Sequence, residues 1–305
     1  MSVDSREFVH PALFYRGLDE YLTGVGGFVR NGLAAGEPVF VSVPPDRLEP
    51  LREHLGPDAR RVDLHDMSQV GRNPGRILTA LADFAERRGD RRAWLVGEPI
   101  WAGRSAAEIR EATRHEALIN LAFAGAAVTV LCPYDVSALS AATLANAERT
   151  HPVLWGGGRE WSSSAYADPL VINADCDAPE EREPVDAVRM SFGPAEIGAV
   201  RRCVKDFGRS AGLTAARAVD LKLAAGEAVA NSIRHGGGAG KLSMWSSPDG
   251  AVVVEVRDSG RLDDPLSGRL RPPFEASNGR GLWLMHQLCD LVELGTGVVR
   301  LHVRE

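Results

Sequence analysis

The chain is poor in the residues that staple small secreted proteins. It has four cysteines in 305 residues, Cys132, Cys176, Cys203 and Cys289, far apart and in no metal-ligand spacing. That excludes a disulfide scaffold and a C-x-x-C zinc motif, and it fits reduced thiols in a cytoplasmic protein. Basic charge is also short. A total of 35 Lys and Arg against 41 Asp and Glu leaves a formal net charge of −6. A general nucleic-acid binder would carry a basic face instead. Long apolar runs are missing. The longest, Leu121 to Cys132, falls short of the roughly 18 residues needed to span a bilayer. It reads as a buried helix end followed by a buried strand. The first residues, MSVDSREFVH, have no basic-then-apolar leader pattern. No GxxxxGK[ST] occurs, so a P-loop nucleotide site is excluded. There is no internal repeat. The length suits two ordinary domains, and 44% hydrophobic with 25% charged residues is globular composition.

Residues 10–155 alternate between strand-like and helix-like stretches. Strands are expected at Ala12–Tyr15, Pro38–Val43, Arg61–Leu64, Ala93–Val96 and Ala127–Leu131. Helices are expected at Leu18–Ala35, Arg47–Leu55, from Asn73-Pro74 to near Gly89, from Ser105 to about Phe123, and at Ser137–Arg149. Gly36 and Gly56 stop the first two, and Ser105-Ala-Ala-Glu108 is a capping box. This alternation predicts an α/β domain with a mainly parallel sheet. Ligands in such sheets bind beyond the carboxyl ends of the strands. Glu98, Trp101, Tyr134 and Asp135 are expected there. Residues 156–187 change to Gly, Ser, Pro and the charge run Glu180–Glu183, without periodicity. They read as a linker.

The segment 188–305 starts with a strand at Val188–Phe192 and a helix at Pro194–Ala211. Thr214 then caps a helix whose apolar residues Val219, Leu223, Val229 and Ile233 recur at roughly helical spacing. In that helix Glu227, Asn231 and His235 are each four apart, so they share one stripe. Gly236, Gly237 and Gly238 end it. A hairpin follows, with strands Lys241–Ser246 and Ala251–Arg257, and delivers Asp258-Ser259-Gly260. After a loop at 261–278, Gly279-Arg280-Gly281 opens an apolar helix ending at Cys289. A last hairpin pairs Val292–Leu294 with Val298–Val303. Helices against an antiparallel or mixed sheet predict a two-layer α+β sandwich. Asn231 offers a hard oxygen suited to Mg²⁺. Glu227, one turn earlier, can accept a proton. Asp258 can accept from an exocyclic amine, and Gly260 permits close approach of a base. Gly279 and Gly281 expose backbone N–H groups at a helix start, where phosphate binds favourably. Arg280 adds positive charge.

The ordered set of an E-x-x-x-N helix, Asp258-Ser259-Gly260 and Gly279-Arg280-Gly281 resembles the N, G1 and G2 boxes of GHKL (Bergerat-fold) ATPases. The resemblance covers 188–305. It implies ATP and Mg²⁺ as cofactors, with Glu227 as base, Asn231 on the metal, and Asn231, His235, Asp258, Gly260, Gly279, Arg280 and Gly281 around the nucleotide. Residues 261–278 would form the lid. Within GHKL proteins the short lid and GRGLWL look most like the anti-sigma-factor serine/threonine kinases. That resemblance implies a sigma factor and an anti-anti-sigma (STAS) protein as partners. The G1 box departs from the usual longer, glycine-bearing form at Arg261. A nucleotide-binding sensor without phosphoryl transfer, or a histidine-kinase-like ATPase without its phosphoacceptor domain, stays open beside the kinase reading.

The words HPALFYRG (His10–Gly17), RHEALIN (Arg114–Asn120), LCPYD (Leu131–Asp135) and THP (Thr150–Pro152) in 10–155 resemble the methanogen/methylotroph sensory domain, MEDS. This implies a small-molecule sensing module of unnamed ligand, to which His10, His115 and His151 are candidates to contribute. A lone histidine is more often structural. The expectation is a cytoplasmic regulator without direct nucleic-acid or membrane contact, and a homodimer is compatible with it.

Overall fold

The computed structural model describes residues 8–89, 91–177, 183–273 and 279–305. The chain divides into two compact units, Met1–Asn173 and Ala174–Glu305.

The first unit runs β1 (Pro11–Tyr15), α1 (Gly17–Ala34), β2 (Val39–Val43), α2 (Pro45–Leu55), β3 (Asp63–Asp66), α3 (Met67–Val70), α4 (Ile77–Glu86), β4 (Ala93–Gly97), α5 (Ala106–Ala122), β5 (Val128–Asp135), α6 (Ala141–Thr150), β6 (Val153–Gly156) and β7 (Arg159–Ser162). Helix α7 (Pro169–Asp175) lies at its end. The sheet order is β3-β2-β4-β5-β1-β6-β7. Neighbours are parallel except β6 and β7, which pair antiparallel. Successive strand side chains point to opposite faces. Val39, Val41 and Val43 therefore join Tyr21, Val25 and Val29 of α1 and Leu51 and Leu55 of α2 in one core. Phe40 turns to the other face and meets Phe84 of α4, ring centroids 5.3 Å apart.

Local signals act as their chemistry requires. Ser105 and Glu108 form both halves of the capping box that starts α5. The Asn73 carboxamide accepts from the Gly75 N–H, but it opens a short 3-10 turn, Pro74–Arg76, before α4 begins. Strand β3 starts two residues later than Arg61, because Gly56–Arg61 coil into another 3-10 turn. Strand β5 runs past Leu131 to Asp135, and α6 starts at Ala141, capped by Ser140 rather than Ser137.

The stretch read as linker is partly structured. Its Gly157-Gly158 pair, with φ of 55° and 72°, joins β6 to β7 with Gly156 opposite Arg159. Two consecutive positive-φ residues are what a tight type I′ hairpin turn requires. The glycine run is thus a hairpin at the sheet edge, and the first unit extends beyond residue 155 to Asn173. Within the charge run, residues 180–182 lie outside the described residues, as do 1–7 and the lid residues 274–278.

The second unit contains β8 (Val188–Phe192), α8 (Ile197–Ser210), α9 (Ala215–His235), β9 (Gly240–Ser246), β10 (Val252–Arg257), α10 (Arg280–Leu288), β11 (Leu291–Gly295) and β12 (Val298–Val303). The order is β11-β12-β10-β9-β8, antiparallel at each pairing. One face of the sheet, with Leu242, Val252, Val254, Val256 and Leu301, packs against Val200 and Val204 of α8, Leu221, Ala225 and Val229 of α9, and Met285 of α10. This is the expected two-layer α+β sandwich.

The buried stripe of α9 differs from the expected one. Leu223 is 42% exposed, while Ala218, Leu221, Ala224, Ala225, Ala228 and Val229 are buried. Alanines face the sheet and α8, so the larger residues at 219, 223 and 233 are not the center of the contact. The polar stripe 227/231/235 lies beside this face. No helix among the described residues is long and apolar enough to cross a membrane.

Candidate functional site

Three short segments of the second unit meet in one cleft of about 240 Å³. Helix α9 supplies Asn231, His235 and Gly236; the end of β10 supplies Asp258 and Gly260; the start of α10 supplies Gly279, Gly281 and Leu282. Leu294, Val298 and Val299 of the last hairpin add apolar wall.

The geometry at Gly281 joins α9 to α10. A Cβ added there would lie 3.0 Å from Glu227 Oε2 and 3.3 Å from Asn231 Nδ2. Glycine lets the start of α10 sit directly against both polar side chains, which a methyl group would push back by a few tenths of an ångström. Gly279 caps this helix with φ 85°. The N–H groups of its first turn have no partner within the helix, which makes the spot suited to an anion. Arg280 is the first helical residue and is exposed.

Asp258 is held in place by its neighbours. The Ser232 hydroxyl donates to Oδ2 at 2.5 Å, and the Gly260 N–H donates to Oδ1 at 2.6 Å. Its own N–H donates to Gly297 O at 3.0 Å, while the Ser259 N–H donates to Gly236 O. An ionised carboxylate has about four acceptor positions, so Asp258 retains capacity for a ligand donor. Ser232 was not singled out in the sequence. It stands off the 227/231/235 stripe, and only its place opposite the end of β10 gives it a role.

Arg234 is a second residue that the sequence reading missed. Its Nη2 donates to Asn231 Oδ1 at 3.2 Å. That is the oxygen assigned to Mg²⁺. Arg234 is exposed, so its guanidinium has room to leave, and an oxygen with two lone pairs can serve two partners. The donor set of one carboxamide oxygen, nearby Glu227, helix N–H groups and apolar walls fits a metal-bound nucleotide.

The first unit has a cavity of about 210 Å³ lined by Tyr15, Arg47, Glu98, Trp101 and Asp135, among others. It lies beyond the carboxyl ends of β1, β2, β4 and β5, as expected. Glu98 is buried; the Tyr15 hydroxyl donates to its Oε1 at 2.9 Å. Burial pushes the Glu98 carboxyl up from 4.5 to about 8. Arg47 donates to Tyr15 Oη at 3.4 Å and to Asp135 at 3.2 Å. Tyr134 does not line the cavity. Strand alternation sends it away from Asp135, toward His151, at a ring-centroid distance of 5.6 Å.

On that side His10, Glu116, Cys132 and His151 lie together and are buried. His10 and His151 thus meet, with ring centroids 4.1 Å apart, whereas His115 is outside the group. Burial and the neighbouring His151 lower His10 to about 4. Burial, with Glu116 beside it, pushes the Cys132 thiol well above its ordinary value. All four cysteines are free thiols.

Comparison with known families agrees with both halves. Residues 9–152 match the MEthanogen/methylotroph, DcmR Sensory (MEDS) domain. Residues 190–304 match the histidine kinase-like ATPase domain. No curated protein matches the chain. The ATPase match implies nucleotide binding, and the pair of domains supports a regulatory ATPase or kinase. The chain therefore carries an N-terminal MEDS sensory domain and a C-terminal histidine kinase-like ATPase domain.

Proposed function

We propose that the protein is a signal-responsive anti-sigma regulatory factor, whose second domain binds Mg-ATP and phosphorylates a serine on a STAS-type anti-anti-sigma partner. The observation that carries this reading is the contact of Gly281 with Glu227 and Asn231. It brings a proton acceptor, a metal-type oxygen and an anion-binding helix start within one turn of each other.

The apolar wall of Leu294, Val298 and Val299 suits a purine ring, and Asp258 beside it accepts from the exocyclic amine of adenine. The cleft is slightly smaller than the ~300 Å³ at the lower end of ligand pockets. A nucleoside fills it, and the phosphates extend toward Gly279–Gly281. Asn231 would hold the magnesium ion, which would supply positive charge against the phosphates. Glu227 takes the proton of the serine hydroxyl as the serine oxygen bonds to the γ-phosphorus. The bond from that phosphorus to the β-phosphate oxygen breaks, and ADP leaves. Most of the barrier reduction in such transfers comes from positioning and charge stabilisation. The base adds typically about 10²–10⁴-fold. The small-molecule signal would bind in the Glu98 cavity of the first domain.

One observation favours a second reading. Arg234 donates to the Asn231 oxygen; a guanidinium that stays there when nucleotide binds competes with the metal, which suits a nucleotide-binding module without transfer. Labelled ATP, the full chain and candidate STAS proteins separate the two. The kinase reading predicts phosphoserine on a STAS protein, carried out by the parent and lost in Asn231→Ala. A partner that associates with the ATP-bound parent and is never phosphorylated supports the binding module.

A further inference from the structure

Nothing in nucleotide chemistry uses the buried group in the first domain. His10 precedes β1, Glu116 lies on α5, Cys132 on β5, and His151 between α6 and β6. Their ligand-type atoms all lie within 4.8 Å of one another. His10 Nε2 is 3.4 Å from Cys132 Sγ and 3.2 Å from Glu116 Oε2. Cys132 Sγ is 3.1 Å from the same oxygen, and His151 Nε2 is 3.5 Å from it. A tetrahedral ion with ligand bonds of about 2.0–2.3 Å places its ligand atoms about 3.3–3.8 Å apart. Four of the six separations, 3.1–3.5 Å, are close to that spacing, and the other two are within 4.8 Å.

The surroundings decide which ring nitrogens face the group. The Asn120 amide nitrogen donates to the carbonyls of Glu116, Ala117 and Thr150. Its oxygen is thereby turned to His10 Nδ1, 3.1 Å away, and Nδ1 must carry the proton. His151 Nδ1 is 2.8 Å from the Ala147 carbonyl, which can only accept. Both Nε2 atoms are left with lone pairs directed at a carboxylate and a sulfur. His151 Nε2 makes no hydrogen bond. With the rings in these neutral forms, the Cys132 thiol is the only proton donor within the four groups, and the Tyr134 hydroxyl is the neighbouring donor beside Glu116. Buried acceptors that face each other need a proton or a cation between them, and one thiol proton cannot serve all of them. Outward Nδ1–H bonds to a carbonyl or carboxamide are also how metal-bound histidines are fixed.

We propose that His10, Glu116, Cys132 and His151 form a closed tetrahedral site for a resident divalent transition-metal ion of the zinc class. Two imidazoles and one thiolate exclude magnesium and calcium, which take oxygen ligands. Four protein ligands and complete burial leave no open position, so the ion ties β1, α5, β5 and α6 together rather than performing chemistry. Asn120 is a positioning residue that orients His10.

The test uses the full chain purified without chelator. Elemental analysis should find about one zinc per chain. Replacement by cobalt(II) should give the ligand-field absorption of a tetrahedral site and a thiolate-to-cobalt charge-transfer band. Cys132→Ser should abolish that band, while Cys203→Ser keeps it. Asn120→Ala should weaken cobalt binding about 10–100-fold with the band retained. If Cys132→Ser does not fold, the parent's cobalt spectrum and a lower melting temperature in chelator still decide. Folded parent protein that stays metal-free after incubation with zinc and cobalt would overturn the site. So would a cobalt spectrum without a thiolate band, or one that Cys132→Ser leaves unchanged.

Discussion

The candidate sites of the two domains hold their polar groups in opposite places. In the first, Glu98, His10, Glu116 and His151 are buried within or beside a parallel sheet. In the second, half-buried Asn231 and Asp258 and exposed His235 line an open cleft, and half-buried Glu227 stands next to it at Gly281. Polar groups taken out of water are coupled to folding, because their protonation and pairing set the stability of the native state. Polar groups at an open cleft are coupled to ligand instead. Substitutions in the first domain should therefore register in melting curves and pH dependence. Those in the second should register in nucleotide affinity and turnover.

The largest effect expected is at Glu227. Glu227→Gln keeps shape and reach but cannot act as base. Phosphorylation of a STAS substrate should slow at least about a hundredfold, with ATP binding and melting temperature nearly unchanged. Quench-flow or radiolabel assays beside calorimetry read both quantities. Turnover at the parental rate would remove Glu227 as base.

Glu98 tests the buried side of the contrast. Between 4.5 and about 8 the folded domain holds a proton that the unfolded chain has released. Stability associated with Glu98 is thus fully present below about 4.5, falls as pH rises, and levels off above about 8. One pKa unit corresponds to about 1.4 kcal/mol, so the whole window is worth several kcal/mol at most. Tyr15, Arg47, Asp46 and Asp135 around it set the remainder. Glu98→Gln should flatten this slope, and denaturant melts at pH 5 and pH 9 measure it. An unchanged slope would show that Glu98 is ionised in the folded state.

Smaller effects probe the cleft. Gly281→Ala puts a methyl group 3.0 Å from Glu227 Oε2 and should weaken nucleotide binding about tenfold, equivalent to 1.4 kcal/mol. Ser232→Ala removes the donor to Asp258. Hydrogen bonds to charged groups contribute about 1.5–3 kcal/mol, and the half-exposed carboxylate can recover part of that from water. A loss of severalfold in ATP affinity is expected, with a small drop in melting temperature since Ser232 itself is buried. An ATP affinity equal to the parent's in both variants would detach the cleft from the nucleotide.

The same contrast explains what could be read from the sequence. Glu227, Asn231, Asp258, Gly260, Gly279 and Gly281 lie in three short words whose order identifies them, and the structure brings those words together. Ser232 and Arg234 were overlooked because they act through one contact each, Asp258 and Asn231, that no spacing rule encodes. The cluster of His10, Glu116, Cys132 and His151 is spread one residue each over the words HPALFYRG, RHEALIN, LCPYD and THP, and no single word says that the four side chains meet. Its members come from four elements, and strand order alone places β1 beside β5. Likewise the hairpin at 156–159 was hidden by glycines, which serve linkers and type I′ turns alike. The α/β alternation and the α+β sandwich were legible because they rest on long periodic stretches, with caps such as Ser105 and Thr214 marking their starts.

The most direct test of the account is a calorimetric titration of the full chain and of Asp258→Ala with Mg-ATP and Mg-GTP. The account predicts saturable binding of ATP by the parent, much weaker binding of GTP, and loss of ATP binding in a variant that still melts cooperatively. Equal affinity for ATP and GTP, or an Asp258→Ala protein that binds ATP as the parent does, would contradict it.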